Sequence, residues 1–382
     1  MTGFTPRVRR LDDGEQNRLA LARSLFREGR LEEATAELAR ILEGAPRFIP
    51  ALLLMGRILQ KQKRPEEAAP WLDAAVEQAP LEMEPALRAA RAHLSLGNID
   101  RAEDLFRTAQ NLDAKSAWAR VGLGLVAGQR DQGEAALEHL MEAVRLDPTL
   151  VQARLSLART LRRLERSEEA AEHLRAVLDR DPGHGTAGTQ LVRLLLKVGH
   201  ADEAERVMQT LIRFNPDDFN MLRQIARLTV SAGRHAAAEQ VLRALLALRP
   251  DSLATRVRLA QALAPQGKTD EARALIADVP RRRAVVPLLY ATEGDIVLAE
   301  GNAEGAVGAF RAAVINLPDG DALMAEADAA AEKAGGALTA EVLARYYQTV
   351  FTRALKTQRE ARRARRSGGG AGEDGRESDA DL

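Results

Sequence analysis

Proline recurs on a 34-residue grid along most of this chain, at Pro46, Pro80, Pro148, Pro182, Pro216, Pro250 and Pro318. Ala114 and Ala284 fill the two grid points without proline. A fixed period of this length marks a repeat architecture, in which one short unit cannot bury its own apolar face and neighbours must stack. With proline at repeat position 32, nine units follow: 15–48, 49–82, 83–116, 117–150, 151–184, 185–218, 219–252, 253–286 and 287–320.

Other columns keep this register. Position 20 is alanine in every unit, from Ala34 and Ala68 through Ala136 to Ala306. Position 24 is large and apolar: Leu38, Leu72, Phe106, Leu140, Leu174, Met208, Leu242, Ile276 and Phe310. Position 8 is small in all units but one, where Val192 stands. Glycine holds the turn at Gly29, Gly97, Gly199, Gly233, Gly267 and Gly301. Positions 7, 8 and 11 share one face of a first helix, and positions 20, 24 and 27 share one face of a second. Small residues at 8 and 20 let the two helices approach, and the large residue at 24 fills the space beside them. Glycine supplies the left-handed residue after the first helix, and proline stops the second.

The run Leu123-Gly124-x-x-Ala127, Ala136-x-x-x-Leu140 and Pro148 resembles the tetratricopeptide signature, as do the matching residues of the other units. The resemblance covers residues 15–320 and implies an all-α, right-handed α-solenoid superhelix whose first helices line a concave groove. The family's tryptophan at position 4 is missing, with Tyr290 the one aromatic there. Repeat 8 departs further: Pro280 is followed by Arg281, Arg282 and Arg283, so its second helix is expected to be degenerate and the array to loosen near 278–287. In repeat 9, Glu293 stands where a core leucine is expected.

Residues 1–14 form an N-terminal extension, without the apolar stretch of a secretory signal. After Pro318, Asp321 is expected to cap a short alanine-rich helix ending near Gly335 and Gly336, and Thr339 to begin a longer one. Val342, Leu343, Tyr346, Tyr347, Val350, Phe351, Ala354 and Leu355 recur at helical spacing, so residues 321–366 are read as capping helices with a basic end. A self-association face is the other reading of that stripe. Residues 367–382 are Gly-rich, then acidic, and are expected to be disordered.

The chain has no cysteine and no apolar run of about 20 residues that could span a bilayer, so a cytoplasmic location is expected. Lys+Arg and Asp+Glu are both 55, so only the distribution of charge can be informative. Position 9 reads Arg23, Arg57, Arg91, Leu125, Arg159, Arg193, Arg227, Gln261 and Asp295. The resemblance implies that this position, with 2, 5, 12 and 13, faces the groove. Those columns add Arg27, Lys61, Arg162, Arg163, Lys197 and Arg223, against the acids Glu84 and Asp295. Acids collect instead on the second helices, at Glu32, Glu33, Glu66, Glu67, Glu168 and Glu169. Guanidinium groups in such a column suit carboxylates or phosphates; inheritance by repeat duplication, or pairing within the chain, is the plainer reading. Trp118, with Leu125, Val121 and Gly128, forms an apolar interruption and is a candidate anchor for a partner.

These features point to a protein–protein scaffold or adaptor that binds an acidic peptide segment, not to an enzyme. The family's carboxylate clamp uses Asn at position 9, so a chaperone-tail clamp is not carried over. Nucleic acid is disfavoured because the groove columns hold few aromatics for base stacking. Attachment to an anionic membrane through the basic segment 353–366 is the other alternative. No cofactor or metal is expected. Gly122-x-Gly124-x-x-x-Gly128 lies inside a helix rather than after a strand, and His139 and His173 share position 23 without a third ligand.

Overall fold

The computed structural model describes residues 12–280, 286–333 and 338–368. These residues form twenty α-helices and no strand. In a first compact unit, α1 (Asp13–Glu28) pairs with α2 (Leu31–Gly44), α3 (Ile49–Lys61) with α4 (Pro65–Gln78), and α5 (Met83–Ser95) with α6 (Ile99–Leu112). The same unit holds α7 (Ala117–Gln129) with α8 (Gly133–Leu146), and α9 (Val151–Arg163) with α10 (Ser167–Leu178), and it ends at Arg180. A second unit starts at Asp181. It pairs α11 (Gly185–Val198) with α12 (Ala201–Phe214), α13 (Phe219–Ser231) with α14 (His235–Leu248), and α15 (Leu253–Leu263) with α16 (Thr269–Ile276). It closes with α17 (Val286–Ala299), α18 (Ala303–Ile315), α19 (Gly320–Lys333) and α20 (Ala340–Gly368).

Each hairpin closes where a small residue meets a large one. A Cβ added at Gly124 would come within 2.7 Å of Leu140, and one at Gly294 within 2.8 Å of Phe310; Gly56 faces Leu72 more tightly still. Position 8 of the first helix thus seats position 24 of its own second helix. All nine position-20 alanines are at most 1% exposed, and every position-24 side chain is buried. Gly122, which a nucleotide loop would need in a turn, instead lies within α7 against the ring of Phe106.

The turn between the two helices always passes through the left-handed region. Six glycines fill that place, with φ between 65° and 89°, and Lys63, Asp131 and Glu165 hold it at φ 60° in the other three hairpins. Pro46, Pro80, Pro148, Pro216 and Pro250 each follow directly on the C-cap of a second helix. Where the family's tryptophan is missing, arginine at position 4 reaches position 23: Arg18 to Glu37 at 3.1 Å, Arg120 to His139 at 3.4 Å, and Arg154 to His173 at 3.5 Å.

Repeat 8 differs from its neighbours in both helices. Pro265, which has no N–H to donate, sits in a 3₁₀ turn at Ala264–Gln266, and α16 is only 8 residues long. Arg281, Arg282 and Arg283 lie outside the described residues, as do Gly335, Gly336 and everything beyond Gly368. Asp321 is not an N-cap, because α19 already begins at Gly320 and Asp321 falls in its first turn. Likewise Asp13 and Gly14, which the repeat register leaves in the extension, open α1, with Asp12 and Glu15 forming a capping box. α20 packs on α17 and α18 through Ala344, Tyr347 and Phe351, with Tyr346 and Val350 partly buried beside them. Arg311 of α18 donates to Asp328 of α19 and, at 2.7 Å, to the Tyr347 hydroxyl, which itself donates to Asp328. Burial first, then that carboxylate, pushes the Tyr347 hydroxyl up to about 12.

The contact rule makes opposite predictions for one substitution at two helical glycines. Gly124→Ala forces a methyl against Leu140 and the Ala136 carbonyl and should cost about 1–3 kcal/mol. Gly308→Ala, in α18 with nothing within 4 Å of the added methyl, should gain about 0.5–1 kcal/mol. Thermal melting of the two variants decides the sign of each.

Candidate functional site

The arginines of position 9 are all exposed on first helices: Arg23 on α1, Arg57 on α3, Arg91 on α5, Arg159 on α9, Arg193 on α11 and Arg227 on α13. Within the first unit the first helices are neighbours in sequence order, α1 to α3, α3 to α5, α5 to α7 and α7 to α9, so that unit's four arginines stand on one layer. Among the described residues Arg23, Arg57, Arg91, Arg159 and Arg193 enter no ion pair.

Most other arginines do. Arginine at position 16 lies at the start of the second helix and reaches the glutamate three residues on: Arg30 to Glu33 at 2.6 Å, Arg64 to Glu67 at 2.5 Å, and Arg166 to Glu169 at 2.6 Å. Across neighbouring hairpins, Arg130 reaches Asp100 and Glu103, Arg163 reaches Asp131, and Arg234 reaches Glu205. Of the further basic residues in the groove columns, Arg163 is therefore neutralised. The difference has a local cause. On a helix, charges pair with residues three or four places away. Around Arg57 those are Leu53, Leu54, Gln60 and Lys61; around Arg159 they are Leu155, Ser156, Arg162 and Arg163. No position-9 arginine has an acid at those places, a signal present in the sequence but visible only once helix register is fixed.

Aromatic rings take up part of this positive charge. The Arg57 guanidinium lies 4.9 Å from the Phe26 ring centre, and the Lys61 ammonium 5.1 Å from the same ring. Arg91 lies 5.2 Å over Trp118, which remains 40% exposed. Trp118 thus packs between repeats 3 and 4 and still presents a face to solvent. Burial over these rings, then the positive charge of Arg88, holds Arg57 and Arg91 below the usual guanidinium range. Arg88 itself pairs with Glu84 at 2.6 Å. The apolar interruption is smaller than the sequence suggests: Val121 is buried and Leu125 packs against the unit's core, which leaves Trp118 as the exposed member.

In the second unit the column changes character. Arg223 on α13 stands 5.9 Å from the Phe219 ring beside Asn220, and both it and Arg227 have partners of their own. Further on, Gln261 donates to Asp295 at 3.5 Å, and Gln348 of α20 donates to the same carboxylate at 2.6 Å. Asp295 has no cation partner among the described residues, and burial pushes its carboxyl up to about 6. The side chains of Arg359, Arg362, Arg363, Arg365 and Arg366, the basic end of α20, lie outside the described residues. Among the described residues no three His, Asp or Glu side chains converge as a metal site. His139 and His173 instead accept from Arg120 and Arg154, and burial, then those arginines, lowers both imidazoles. No helix of the described residues is long and apolar enough to cross a membrane.

Comparison with protein-family models matches a tetratricopeptide repeat model over residues 25–84, 59–122, 163–228 and 230–292, and a second tetratricopeptide repeat model over 123–185. No curated protein matches the chain. Among solved structures, it is similar to TTC0263, a thermophilic TPR protein of Thermus thermophilus, at 22% identity and TM-score 0.44, over 48% of this chain and 99% of that one. It is also similar to PilF of Pseudomonas aeruginosa, at 18% identity and TM-score 0.44, over 57% of this chain and 97% of that one. YrrB, a TPR protein with an unusual peptide-binding site, matches at 21% identity and TM-score 0.35, over 49% of this chain and 96% of that one.

Two titrations follow from these sites. His139 and His173 have folded values below about 6.5, so an unfolded chain takes their protons first as pH falls. Their contribution to stability is full above about pH 6.5 and shrinks below it, and a His139→Gln/His173→Gln variant should lose less of its melting temperature between pH 7.5 and 5.5 than the parent. Asp295 has the opposite sense. Its folded value lies above the ordinary 3.8, so ionisation above about pH 6 costs stability, by up to about 3 kcal/mol. Asp295→Asn should therefore raise the melting temperature at pH 7.5, with a gain that shrinks as pH falls from 6 towards 4.

Proposed function

The chain belongs to the tetratricopeptide repeat family, whose repeats serve as protein–protein interaction scaffolds, and from that premise we propose that it binds an acidic segment of a partner protein along the position-9 arginines. Arg23, Arg57, Arg91 and Arg159 form the first unit's share of that face, with Trp118 as an apolar anchor among them. Arg193, Arg223 and Arg227 are the second unit's candidates for the same kind of contact, taken by themselves. It acts by holding its partner rather than by catalysis.

One observation carries this reading. In a chain whose charges balance, arginines at the start of the second helices are paired, and those of position 9 in the first unit are exposed without an acid. Unpaired guanidinium groups on neighbouring helices, about 8–10 Å apart, match carboxylates spaced about three residues along an extended chain. Exposed Trp118 beside Arg91 gives such a segment a place for one apolar side chain. The face lacks the run of exposed rings that would hold successive bases, which favours a peptide over a nucleic acid.

The test is affinity copurification with mass spectrometry on three proteins of equal helicity by circular dichroism. These are the parent chain, an Arg57→Glu/Arg91→Glu/Arg159→Glu variant, and a control Arg30→Glu/Arg64→Glu/Arg166→Glu variant. A discrete set of partners rich in acidic segments should be lost only with the first variant. Loss of partners with both variants, or with neither, would show that the column is not the binding face.

A further inference from the structure

The unpaired positive charge of the first unit is not evenly spread. α3 carries two such cations one helical turn apart, Arg57 and Lys61, at positions 9 and 13 of its repeat. Both are exposed, and among the described residues neither enters an ion pair. Position 13 is Ser95 on α5 and Gln129 on α7, and Arg163 on α9 is taken by Asp131. Cations without an acid also stand one turn apart at Arg23 and Arg27 of α1 and at Arg159 and Arg162 of α9. Neither of those pairs is gathered on a ring among the described residues, and Arg27 turns back to donate to the Arg23 carbonyl.

A shared ring holds Arg57 and Lys61 together. The Arg57 guanidinium lies 4.9 Å, and the Lys61 ammonium 5.1 Å, from the centre of the Phe26 ring of α1. The two cations are therefore no farther apart than the sum of those distances. Their Cβ atoms, four residues apart on one helix, are separated by roughly 5–6 Å, a spacing at which like charges destabilise the helix that carries them. The carboxylate whose field reaches Arg57 is Glu84, and Arg88 already holds it at 2.6 Å. An anion between the two cations would relieve their repulsion.

We propose, resting on the binding reading given above, that Arg57 and Lys61 form a site for a phosphoryl group carried by the partner's segment. A carboxylate brings one negative charge and leaves one of the two cations unmatched. A phosphoserine or phosphothreonine brings about 1.5 to 2 negative charges at pH 7, with three acceptor oxygens. The planar fork of Arg57 can close on two of these oxygens and the Lys61 ammonium on the third, at about 2.7–2.9 Å. Because the Phe26 ring already gathers both side chains, less of their freedom is lost on binding.

The test is fluorescence anisotropy on the full chain with a labelled glycine pentapeptide carrying a central phosphoserine, and with the same peptide carrying a central aspartate. At pH 7.5 the phosphopeptide should bind about tenfold more tightly, and this advantage should shrink towards pH 5.5 as the phosphoryl group loses its second charge near pH 6. Arg57→Gln and Lys61→Gln should each weaken phosphopeptide binding about tenfold at unchanged helicity. Arg64→Gln, which removes a cation already paired with Glu67, should leave it as it is. Equal binding of the two peptides, or phosphopeptide binding indifferent to Lys61→Gln, would overturn the site. A single-stranded oligonucleotide that outbinds the phosphopeptide through the same two residues would overturn the assignment to a phosphorylated protein. If the phosphopeptide fails while acidic partners are still lost from the Arg57→Glu/Arg91→Glu/Arg159→Glu variant alone, the phosphoryl site falls and the acidic-segment reading stands.

Discussion

The fold rests on a size contrast between two facing positions. A glycine or small residue at position 8 of the first helix receives the large side chain at position 24 of the second, as Gly124 receives Leu140 and Gly294 receives Phe310. Contact this close leaves no room for a side chain on one partner, and the buried alanine at position 20 keeps the second helix equally near. The left-handed turn residue then follows of necessity, since the chain must reverse within a few residues to bring 24 over 8. Three hairpins accept a non-glycine there, at Lys63, Asp131 and Glu165, which shows that packing outweighs the local backbone preference. Where the family's tryptophan is missing, contacts from Arg18, Arg120 and Arg154 to position 23 join the two helices.

That same hairpin geometry sorts the charges. A residue at position 16 starts the second helix and lies one turn from position 19, so arginine and glutamate there find each other. A residue at position 9 sits mid-helix, and its neighbours three and four places away are apolar, polar or basic. Arginines at the start of the second helices are thus neutralised, while those at position 9 of the first unit are not. Rings at Phe26 and Trp118 soften the excess without removing it.

The last repeats reverse this arrangement. Gln261 and Asp295 replace arginine at position 9, and α20 meets them through Gln348. Ala264 and Pro265 of the 3₁₀ turn line the same cavity as Asp295, Arg258 and Arg345. Arg311, Asp328 and Tyr347, the residue before Gln348, join α18, α19 and α20.

The sequence by itself determined the hairpins, their register and the identity of their buried columns, because a 34-residue period repeats the same local rules nine times. Pro280 limits how far the second helix of repeat 8 can run, and α16 is 8 residues long. The exposed arginine column was legible as a column. Its lack of acids three and four places away was legible once that register was read, whereas pairs across hairpins, such as Arg130 with Asp100, were not. Only tertiary structure decided that Val121 is buried while Trp118 is exposed, that the array divides near Arg180, and that α20 joins the position-9 column at Asp295. Those outcomes depend on contacts between residues far apart in the chain, such as Asp295 with Gln348, and periodicity carries no information about them.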